Sequence, residues 1–385
     1  MKDPNFKNMK SIVILGAGMV GRAMALDLSA RYRVTSIDRD PAALEKLTAG
    51  PQLKTQQGDL GDPGIIAELI QDADLVIGAV PGFMGYETLK TVIRNGKNVV
   101  DISFFPEDPF DLDVLAREKG VIAVMDAGVA PGMSNLIAGY HDAGMQVESF
   151  SCYVGGLPAR KEWPYQYKAP FSPVDVIEEY IRPSRQRVNG EELVKEALSE
   201  SEFLEFPEVG ILEAFNTDGL RSLLKTMNIP NMKEKTLRYP GHVEIMKIFR
   251  ETGFFSSEAI DVNGSMIRPV DFTSRLLFPL WKLEEEDREF TVMQIDVEGE
   301  EAGKKLAYRY RLMDWRDANT GVSSMSRTTG YSCTAMAELV LNGQYHRIGI
   351  SPPEFVGATE GCFQEVLDYL SRRGVDYRVK KEELS

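Results

Sequence analysis

The chain has 385 residues, of which 43% are hydrophobic and 26% are charged, and its formal net charge is -14 at pH 7. This length favours two domains, and no apolar run is long enough for a transmembrane helix. The negative charge disfavours nucleic acid and anionic membranes as partners, because both would be repelled. We therefore expect a small-molecule ligand.

Cysteine and histidine usage predicts no metal site. Cys152, Cys333 and Cys362 are widely spaced and odd in number, which is typical of neither a disulfide framework nor a metal cluster. The three histidines form no pair at zinc-ligand spacing. An apolar run near the start imitates a signal peptide, but Arg22 and Asp27 interrupt it, so we expect a cytoplasmic protein.

The first third of the chain alternates short apolar runs with amphipathic stretches, the pattern of βαβ units in a parallel sheet. Strands are predicted at 11–15, 33–37, 54–57, 74–80, 98–102 and 121–125. Helices are predicted at 20–31, 41–49, 62–71, 86–95 and 111–119. These elements predict a Rossmann dinucleotide-binding domain over residues 1–128.

After Asp126 the regular alternation ends. Strands are predicted at 147–154, 192–197, 290–297 and 305–314, with helices at 135–141, 219–226, 242–251 and 331–341. The predicted fold class is therefore α/β, with a Rossmann domain followed by an α+β domain with an open mixed sheet at 129–350. The segment 351–385, with a helix at 361–373, is expected to pack back on the first domain.

A glycine pattern marks the expected cofactor site. Between the first predicted strand and helix stand Gly16, Ala17, Gly18, Met19, Val20 and Gly21. In such a fingerprint Gly16 permits a tight turn, Gly18 admits the pyrophosphate, and Gly21 lets the helix pack on the strand. The helix N-terminus then favours the diphosphate. The alternative is that these glycines only form a turn.

The acidic residue at the end of the second strand indicates which dinucleotide binds. Asp38 follows the glycines by about twenty residues, where a carboxylate can accept both ribose hydroxyls of NAD. The same carboxylate would repel the 2′-phosphate of NADP. Arg39 opposes this preference, because an arginine there can stack on adenine or bind that phosphate. NAD is the predicted cofactor.

Two further loops lie at the carboxyl ends of strands, where ligands bind in such sheets. Asp59 and Leu60 are candidates for contact with adenine, although a plain turn or a helix cap at Asp62 explains the pattern equally well. The other loop is expected beside the pyrophosphate and the nicotinamide ribose, and it contains Ala79, Val80 and Pro81. Pro81 could instead simply end the strand.

Several motifs in order along the chain resemble those of the saccharopine dehydrogenase-like family. Beside the glycine fingerprint they are segments 58–60, 99–103 and 128–135. Within that family the lysine 6-dehydrogenases are the most similar, through segments 154–158, 167–173, 179–183, 213–219 and 235–242. The resemblance implies Asp101 and Ser103 as further cofactor contacts.

The resemblance also implies a reaction. Such enzymes are expected to oxidise the ε-carbon of L-lysine with NAD, giving an imine that water converts to allysine and ammonia. The allysine then closes to a cyclic piperideine carboxylate. The site must hold the ε-carbon against the nicotinamide and take a proton from the ammonium.

Candidate catalytic residues follow from these needs. His242 is favoured as the base over Lys168, because its ordinary pKa lies near working pH, although a helix cap is the alternative. Arg182 and Arg238 could clamp the substrate carboxylate, or be plain surface charges. The backbone amides at 131–135 could bind it as well. Asp218 could pair with the amine or start a helix, and Asp101 and Asp126 are the alternative amine ligands.

Two rival functions remain open. A saccharopine or carboxynorspermidine dehydrogenase would share the hydride chemistry and need extra basic side chains, which Arg160, Lys161, Arg185 and Arg187 could supply. A non-catalytic NAD-binding protein would keep the fingerprint and lose the second-domain motifs. The open sheet of the second domain is the expected surface for a homodimer or larger homo-oligomer.

Overall fold

The computed structural model describes residues 9–47, 52–284 and 287–384. They form two compact units: the described residues up to Ala143 with Ser326–Val375, and Gly144–Met325 with the residues from Asp376 onward. The predicted division into 1–128, 129–350 and 351–385 differs from this one. Residues 129–143 and 326–350 belong to the first unit, and the end of the chain belongs to the second.

Strands and helices occur throughout the described residues. The strands are β1 (Ser11–Leu15), β2 (Arg33–Asp38), β3 (Leu53–Gln57), β4 (Leu75–Gly78), β5 (Val99–Asp101), β6 (Ile122–Val124), β7 (Gln146–Pro158), β8 (Ser184–Val188), β9 (Glu191–Lys195), β10 (Glu202–Phe206), β11 (Gly210–Asn216), β12 (Asn231–Arg238), β13 (Ile260–Val262), β14 (Ser265–Ile267), β15 (Glu289–Glu301), β16 (Lys304–Trp315), β17 (Gly349–Ser351) and β18 (Tyr377–Glu383). The helices are α1 (Met19–Leu28), α2 (Pro41–Glu45), α3 (Pro63–Leu69), α4 (Gly82–Arg94), α5 (Asp113–Glu118), α6 (Met133–Asp142), α7 (Pro173–Ile181), α8 (Leu223–Thr226), α9 (His242–Glu251), α10 (Pro269–Trp281), α11 (Ser324–Leu341), α12 (Pro353–Gly357) and α13 (Cys362–Ser371).

The first unit is built on a parallel sheet with the strand order β17-β6-β5-β4-β1-β2-β3. The central strands β1 and β4 are short apolar runs buried on both faces, as expected where helices cover a parallel sheet. The six predicted strands are present. The described residues add β17, which the sequence did not predict and which pairs with β6 through Ile350 and Ala123. The Rossmann architecture is thus confirmed.

Aspartate side chains start the helices that follow β2 and β3. Asp40 accepts a hydrogen bond from the amide of Ala42, and Asp62 accepts from Gly64 and Ile65. Each is followed by a proline, which suits the first helical position because its missing N–H would have no partner there. Asp62 is therefore a helix cap, one of the two interpretations left open for this loop. The predicted end of the second helix, at 48–49, lies outside the described residues.

The second unit contains a mixed sheet in the order β10-β11-β12-β7-β15-β16-β18, with β8 and β9 joined to β12. Strands β7 and β12 run parallel, and the other pairs are antiparallel. One apolar cluster packs against this sheet around Leu237 and Phe290. Another, around Trp281 and Tyr180, joins α7, α9 and α10. An α+β second domain with a mixed sheet is thus confirmed.

Several hairpins of the second unit were not predicted. Asn189-Gly190 joins β8 to β9, and Asn263-Gly264 joins β13 to β14, with positive φ at all four residues. Two successive positive φ angles match the right-handed twist of a hairpin, and Asn-Gly adopts them most easily. Helix α8 is shorter than predicted, and α11 begins earlier.

Among the described residues, no helix is long and apolar enough to cross a membrane.

Candidate active site

The glycine fingerprint forms the turn between β1 and α1. Gly16 has φ of 117°, and a Cβ there would lie 2.4 Å from the carbonyl oxygen of Ala79. A Cβ on Gly21 would lie 2.1 Å from the carbonyl oxygen of Gly16, so this glycine lets the helix approach the strand. A Cβ on Gly18, in contrast, would meet no described atom within 4 Å. The backbone of this turn therefore packs closely at Gly16 and Gly21 and leaves open space at Gly18.

The start of α1 suits an anion. Gly18 is the N-cap residue, no side chain of the described residues caps the helix, and its first turn contains no acidic residue. Met19 is partly exposed and Val20 is half-buried at this end. Free amides and the positive end of the helix dipole favour a diphosphate here. The residues present thus fit the diphosphate of a nicotinamide dinucleotide.

Asp38 stands at the end of β2, directly beside this turn. Its Oδ2 accepts a hydrogen bond from the amide of Ala17 at 2.7 Å, and its Oδ1 accepts from the amide of Asp40 at 2.9 Å. The two bonds fix the carboxylate in place, and each oxygen keeps a lone pair for a ribose hydroxyl. Arg39 is exposed next to it. Both residues that bear on the predicted choice between NAD and NADP therefore lie beside this turn.

The two neighbouring loops differ in exposure. Asp59 is exposed and accepts a hydrogen bond from the amide of Gly61, whereas Leu60 is buried in the core. Ala79 is half-buried under Gly16, Val80 is buried, and the exposed Pro81 precedes α4 as its N-cap residue. Leu60 and Val80 thus belong to the apolar core of the unit.

Asp101 is completely buried at the end of β5. Its Oδ1 accepts a hydrogen bond from the amide of Ser103 at 2.7 Å, and its side chain fills the space above Gly78. Burial raises the pKa of Asp101 to about 8, the Ser103 bonds oppose this, and nearby Asp126 adds to it. A neutral carboxyl at pH 7 does not suit the amine-binding role considered for Asp101. Asp126 itself is 2% exposed and has φ of 53°.

The amides that open α6 do not fit the predicted carboxylate-binding role. The amide of Met133 donates to the carbonyl of Gly128, and that of Ser134 donates to Val129. The Gly132 amide donates to the side chain of Asn135. These donors are already satisfied within the chain, so the alternative interpretation, a structural helix start, describes this segment.

In the second unit, Arg238 is buried in an aromatic environment. Its Nη2 donates to Oε2 of Glu179 at 2.6 Å, and its guanidinium lies over the ring of Tyr167, 4.5 Å from the ring centroid. Nη1 donates to the carbonyl of Leu237, and Tyr180 is a further hydrogen-bond partner. Most of the hydrogen-bonding capacity of Arg238 is thus used within the protein. Among the described residues its Nε has no hydrogen-bond partner, so this atom remains for a substrate carboxylate.

Glu179 is the exposed side of this pair. Its side chain keeps 24% exposure, whereas that of Arg238 keeps 2%. Burial raises the pKa of Glu179, and Arg238 counteracts this rise. The arrangement presents a carboxylate toward solvent with a cation behind it, which suits a cationic amine better than a carboxylate ligand.

His242 begins α9, after the N-cap residue Gly241, and is completely buried. Its Nδ1 donates to the carbonyl of Tyr165 at 2.8 Å, and its Nε2 accepts from the hydroxyl of Tyr180 at 2.9 Å. Burial lowers the pKa of His242 to about 3, with nearby Arg238 adding to the effect. This lowered pKa does not support the near-neutral pKa on which the role of His242 as a base depended, and that role stays a prediction.

The remaining predicted residues lie in ion pairs. Lys168 Nζ is 3.8 Å from carboxylate oxygens of both Glu162 and Asp287. Asp218 accepts two side-chain hydrogen bonds from Arg185, at 3.0 and 2.9 Å, so its proposed pairing with a substrate amine would compete with an existing cation. Arg182 pairs with Glu178 at 3.4 Å.

Glu234 is a buried acid that the sequence did not single out. Its Oε2 accepts a hydrogen bond from Thr217 at 2.7 Å, and Thr217 also bonds to Thr236. Burial raises the pKa of Glu234 to about 8, and the carboxylates of Glu179 and Asp218 contribute to this rise. The three acids are thus electrostatically coupled in one region of the second unit.

Among the described residues, no group of three or more His, Cys, Asp or Glu is placed to hold a metal ion.

Two family models match the chain. The saccharopine dehydrogenase NADP binding domain matches residues 12–124, and the saccharopine dehydrogenase C-terminal domain matches residues 128–375. The chain belongs to the saccharopine dehydrogenase family. The predicted family is thereby confirmed, and the first unit contains the nicotinamide dinucleotide-binding domain of a family of oxidoreductases.

Curated relatives of this saccharopine dehydrogenase family member have related names. A saccharopine dehydrogenase [NADP(+), L-glutamate-forming] of Schizosaccharomyces pombe is 23% identical, over 90% of this chain and 94% of that protein. The enzyme of the same name from Pyricularia oryzae is 28% identical, over 65% of this chain and 59% of its own length. Bovine mitochondrial alpha-aminoadipic semialdehyde synthase is 25% identical, over 65% of this chain and 29% of its own length.

A solved structure supports the fold. The apo saccharopine dehydrogenase (L-Glu forming) from Saccharomyces cerevisiae superposes with a TM-score of 0.78, covering 98% of this chain and 100% of that one. Its sequence identity is 21%, so the likeness concerns the fold alone.

Sequence reasoning missed Glu179, Tyr180 and Glu234. The first two lie in the same motif as Arg182, which was chosen as a carboxylate clamp beside a proline. Their partners come from β12 and α9, about sixty residues later, and no local pattern indicates this pairing. Glu234 stands in a strand of mixed lysine, glutamate and threonine that gave no signal of burial.

Proposed function

We propose that the protein is a nicotinamide-dependent dehydrogenase that oxidises the ε-carbon of a lysine derivative, with saccharopine as the first candidate substrate. The observation that carries the proposal is the match of both family domains, in order, along one chain. The relative whose length is almost completely covered is named for the L-glutamate-forming reaction.

The proposed reaction is an oxidative cleavage of a carbon–nitrogen bond. The substrate amine loses a hydride from its ε-carbon and a proton from its nitrogen, which gives an imine. Water then adds to the imine carbon, and the carbon–nitrogen bond breaks to release allysine and a free amine. The amine is glutamate when the substrate is saccharopine and ammonia when it is lysine. The bound nicotinamide supplies the hydride acceptor.

For the cofactor we propose NAD, on the basis of Asp38. A carboxylate fixed beside the fingerprint turn can accept the ribose hydroxyls and repels a 2′-phosphate. The names of the relatives favour NADP instead, and the exposed Arg39 would then receive the phosphate. Gly16, Gly18 and Gly21 would hold the diphosphate in either case.

On the substrate side we propose Glu179 as the ligand of the cationic amine, with Arg238 as its positioning residue. The partly exposed carboxylate and the buried guanidinium behind it support this assignment. His242 acts through Tyr180. Its neutral ring accepts a hydrogen bond from the tyrosine hydroxyl, and the same hydroxyl also contacts Arg238. A pKa of about 3 makes His242 a poor base at neutral pH, and Lys168 is engaged by the carboxylates of Glu162 and Asp287, so neither residue is proposed as the base.

L-Lysine is the second candidate substrate, and a specific observation favours it. Saccharopine carries additional carboxylates that require basic partners, yet Arg185 is paired with Asp218. Arg187 donates to the carbonyls of Met227 and Leu224, and Lys161 lies over the ring of Tyr239. Three of the four predicted basic side chains are thus already engaged. Glu179, in contrast, is a partly exposed carboxylate, which suits the second cationic amine of a dibasic amino acid.

The test is an absorbance assay of the reduced cofactor in four combinations: saccharopine or L-lysine, each with NAD or NADP. Release of glutamate from saccharopine supports the first candidate, and release of ammonia from lysine without saccharopine turnover supports the second. If calorimetry detects cofactor binding but none of the four mixtures turns over, the non-catalytic alternative replaces both.

We further propose that the protein forms a homodimer or a larger homo-oligomer.

A further inference from the structure

Helix α11 packs alongside α1, the helix that follows the fingerprint turn. Gly330 of α11 lies against the first part of α1, where a Cβ on it would be 3.2 Å from Cγ of Met24 and 3.5 Å from Cγ1 of Val20. One turn later in α11, the hydroxyl of Thr334 donates to Oδ2 of Asp27 at 2.9 Å. The contacting positions advance together along both helices, so α1 and α11 point in the same direction.

Asp27, near the end of α1, accepts hydrogen bonds from three side chains of two later segments. Beside Thr334, the hydroxyl of Tyr369 in α13 donates to Oδ2 at 2.6 Å. Nε of Arg373, just after α13, donates to Oδ1 at 2.7 Å. The guanidinium of Arg373 also lies over the ring of Tyr369, 3.4 Å from the ring centroid. One carboxylate therefore joins α1 to α11 and to the end of α13.

The carboxylate of Asp27 is unfavourable for α1 by itself. A negative charge in the last turn of a helix lies at the negative end of the helix dipole. The side chain is also largely withdrawn from water, with 12% of it exposed. A buried ion pair adds little stability over an apolar contact, and its best-supported role is to fix one register between packed elements. The cluster around Asp27 is therefore suited to fixing α1 along its axis.

The segments that hold Asp27 come from late in the chain. Residues 326–375 pack in the first unit, although they lie in the range 128–375 that matches the C-terminal domain of the family. The match to the dinucleotide-binding domain ends at residue 124. The first helix of that domain is thus held by residues outside the matched domain.

We propose that Asp27 is a positioning residue for the cofactor, which fixes α1 so that the free amides at its start meet the diphosphate. The ten residues of α1 span about 15 Å as one rigid element, so a shift at Asp27 also moves Gly18. Amide–phosphate hydrogen bonds are about 2.7–3.2 Å long, so a shift of about 0.5 Å weakens them. Asp38 stands on β2, and its contact with the ribose does not depend on this register.

The inference rests on the dinucleotide binding in the proposed function, and its test needs no amine substrate. ADP carries the diphosphate and adenosine lacks it, and both are titrated by calorimetry into the full chain. In Asp27→Asn, whose amide cannot pair with Arg373, the dissociation constant of ADP should rise about tenfold. That of adenosine should change less than about twofold. Wild-type chain that binds ADP without turning over any amine would contradict the proposed reaction alone.

A second ion pair of the first unit provides the matched control. Asp113 accepts from Nε of Arg117 at 2.7 Å and from the amide of Ile350 at 2.9 Å, and α1 is not involved. Asp113→Asn should therefore lower the melting temperature without changing the affinity for ADP. Arg373→Gln should weaken ADP binding as Asp27→Asn does, and the double variant should weaken it no further, because both changes remove the same interaction.

Thr334→Val keeps the inference testable if Asp27→Asn does not fold. Valine preserves the shape of the side chain and removes the hydroxyl, so ADP binding should weaken about threefold. Variants with a lower melting temperature and an unchanged ADP affinity would make the cluster purely structural and overturn the inference. An equal loss of affinity for ADP and adenosine would do the same. A wild-type chain that binds neither ADP nor NAD would contradict the dinucleotide site itself.

Discussion

Arg238 and Glu179 form an ion pair, 2.6 Å from Nη2 to Oε2, in which the arginine is buried and the glutamate is partly exposed. The arginine also contacts Tyr167 and the glutamate lies near Asp175. The pair therefore connects an aromatic core to an acidic surface. Of the two side chains, the glutamate is the one that solvent reaches.

Replacing Glu179 by Gln should raise the KM for the amine substrate about 10- to 100-fold, because a charge-assisted hydrogen bond to the ammonium is lost. The affinity for NAD, measured by calorimetry, should stay unchanged. Glu244→Gln, an exposed glutamate of α9, is the matched control. An unaltered KM in E179Q would remove Glu179 from the substrate site.

Replacing His242 by Asn should make the protein less sensitive to acid. The folded-state pKa of about 3 lies below the ordinary value of 6.5, so the neutral ring contributes stability above pH 6.5 that is lost as pH falls toward 3. Wild type should therefore lose on the order of 4 kcal/mol more unfolding free energy over this range than H242N. Urea unfolding at several pH values measures the difference.

The same variant separates positioning from acid–base catalysis by His242. If the ring acts only through Tyr180, H242N should change KM more than kcat and leave the acid limb of the pH profile in place. Loss of that limb, with kcat reduced by about two orders of magnitude or more, would restore His242 as the general base.

Replacing Glu234 by Gln should stabilise the protein at alkaline pH. The folded-state pKa of Glu234 is about 8 and exceeds the ordinary value of 4.5. Wild type therefore loses stability as pH rises from 4.5 to 8, because this carboxyl ionises more easily in the unfolded chain. The loss is at most about 5 kcal/mol. E234Q should show a flatter dependence of unfolding free energy on pH, and identical slopes would contradict the raised pKa.

Glycine variants should separate cofactor binding from folding. Gly18→Ala meets no described atom within 4 Å, so its melting temperature should be unchanged while NAD binding weakens about tenfold or more. Gly21→Ala places a Cβ against the Gly16 carbonyl and should lower the unfolding free energy by about 1–3 kcal/mol. Equal effects of both variants on binding and stability would contradict this division of roles.

Replacing Asp38 by Ser should weaken NAD relative to NADP by about tenfold, because the ribose hydroxyls lose an anionic acceptor and the 2′-phosphate is no longer repelled. Arg39→Ala is the complementary variant and should weaken NADP alone. Calorimetric titrations with both dinucleotides measure the two ratios. An unchanged ratio in D38S would assign the cofactor preference to other residues.

Hairpin turns show that a usable signal was missed. Asn189-Gly190 and Asn263-Gly264 are adjacent pairs that favour positive φ, and both connect short strands. A strand was predicted after the first pair, at 192–197, but none was predicted before it or on either side of the second pair. Local turn chemistry would have predicted β8, β13 and β14.

The sequence by itself determined the first six strands of the Rossmann sheet and the glycine turn, since both follow from local patterns in the first third of the chain. Gly16, Gly18 and Asp38 lie within about twenty residues, and strand periodicity fixes their common edge. Only the tertiary structure decided the state of His242, Glu179 and Glu234, because their charges depend on burial and on partners that other elements supply. A pKa is set by the surrounding dielectric and neighbouring charges, and neither is encoded at the residue itself.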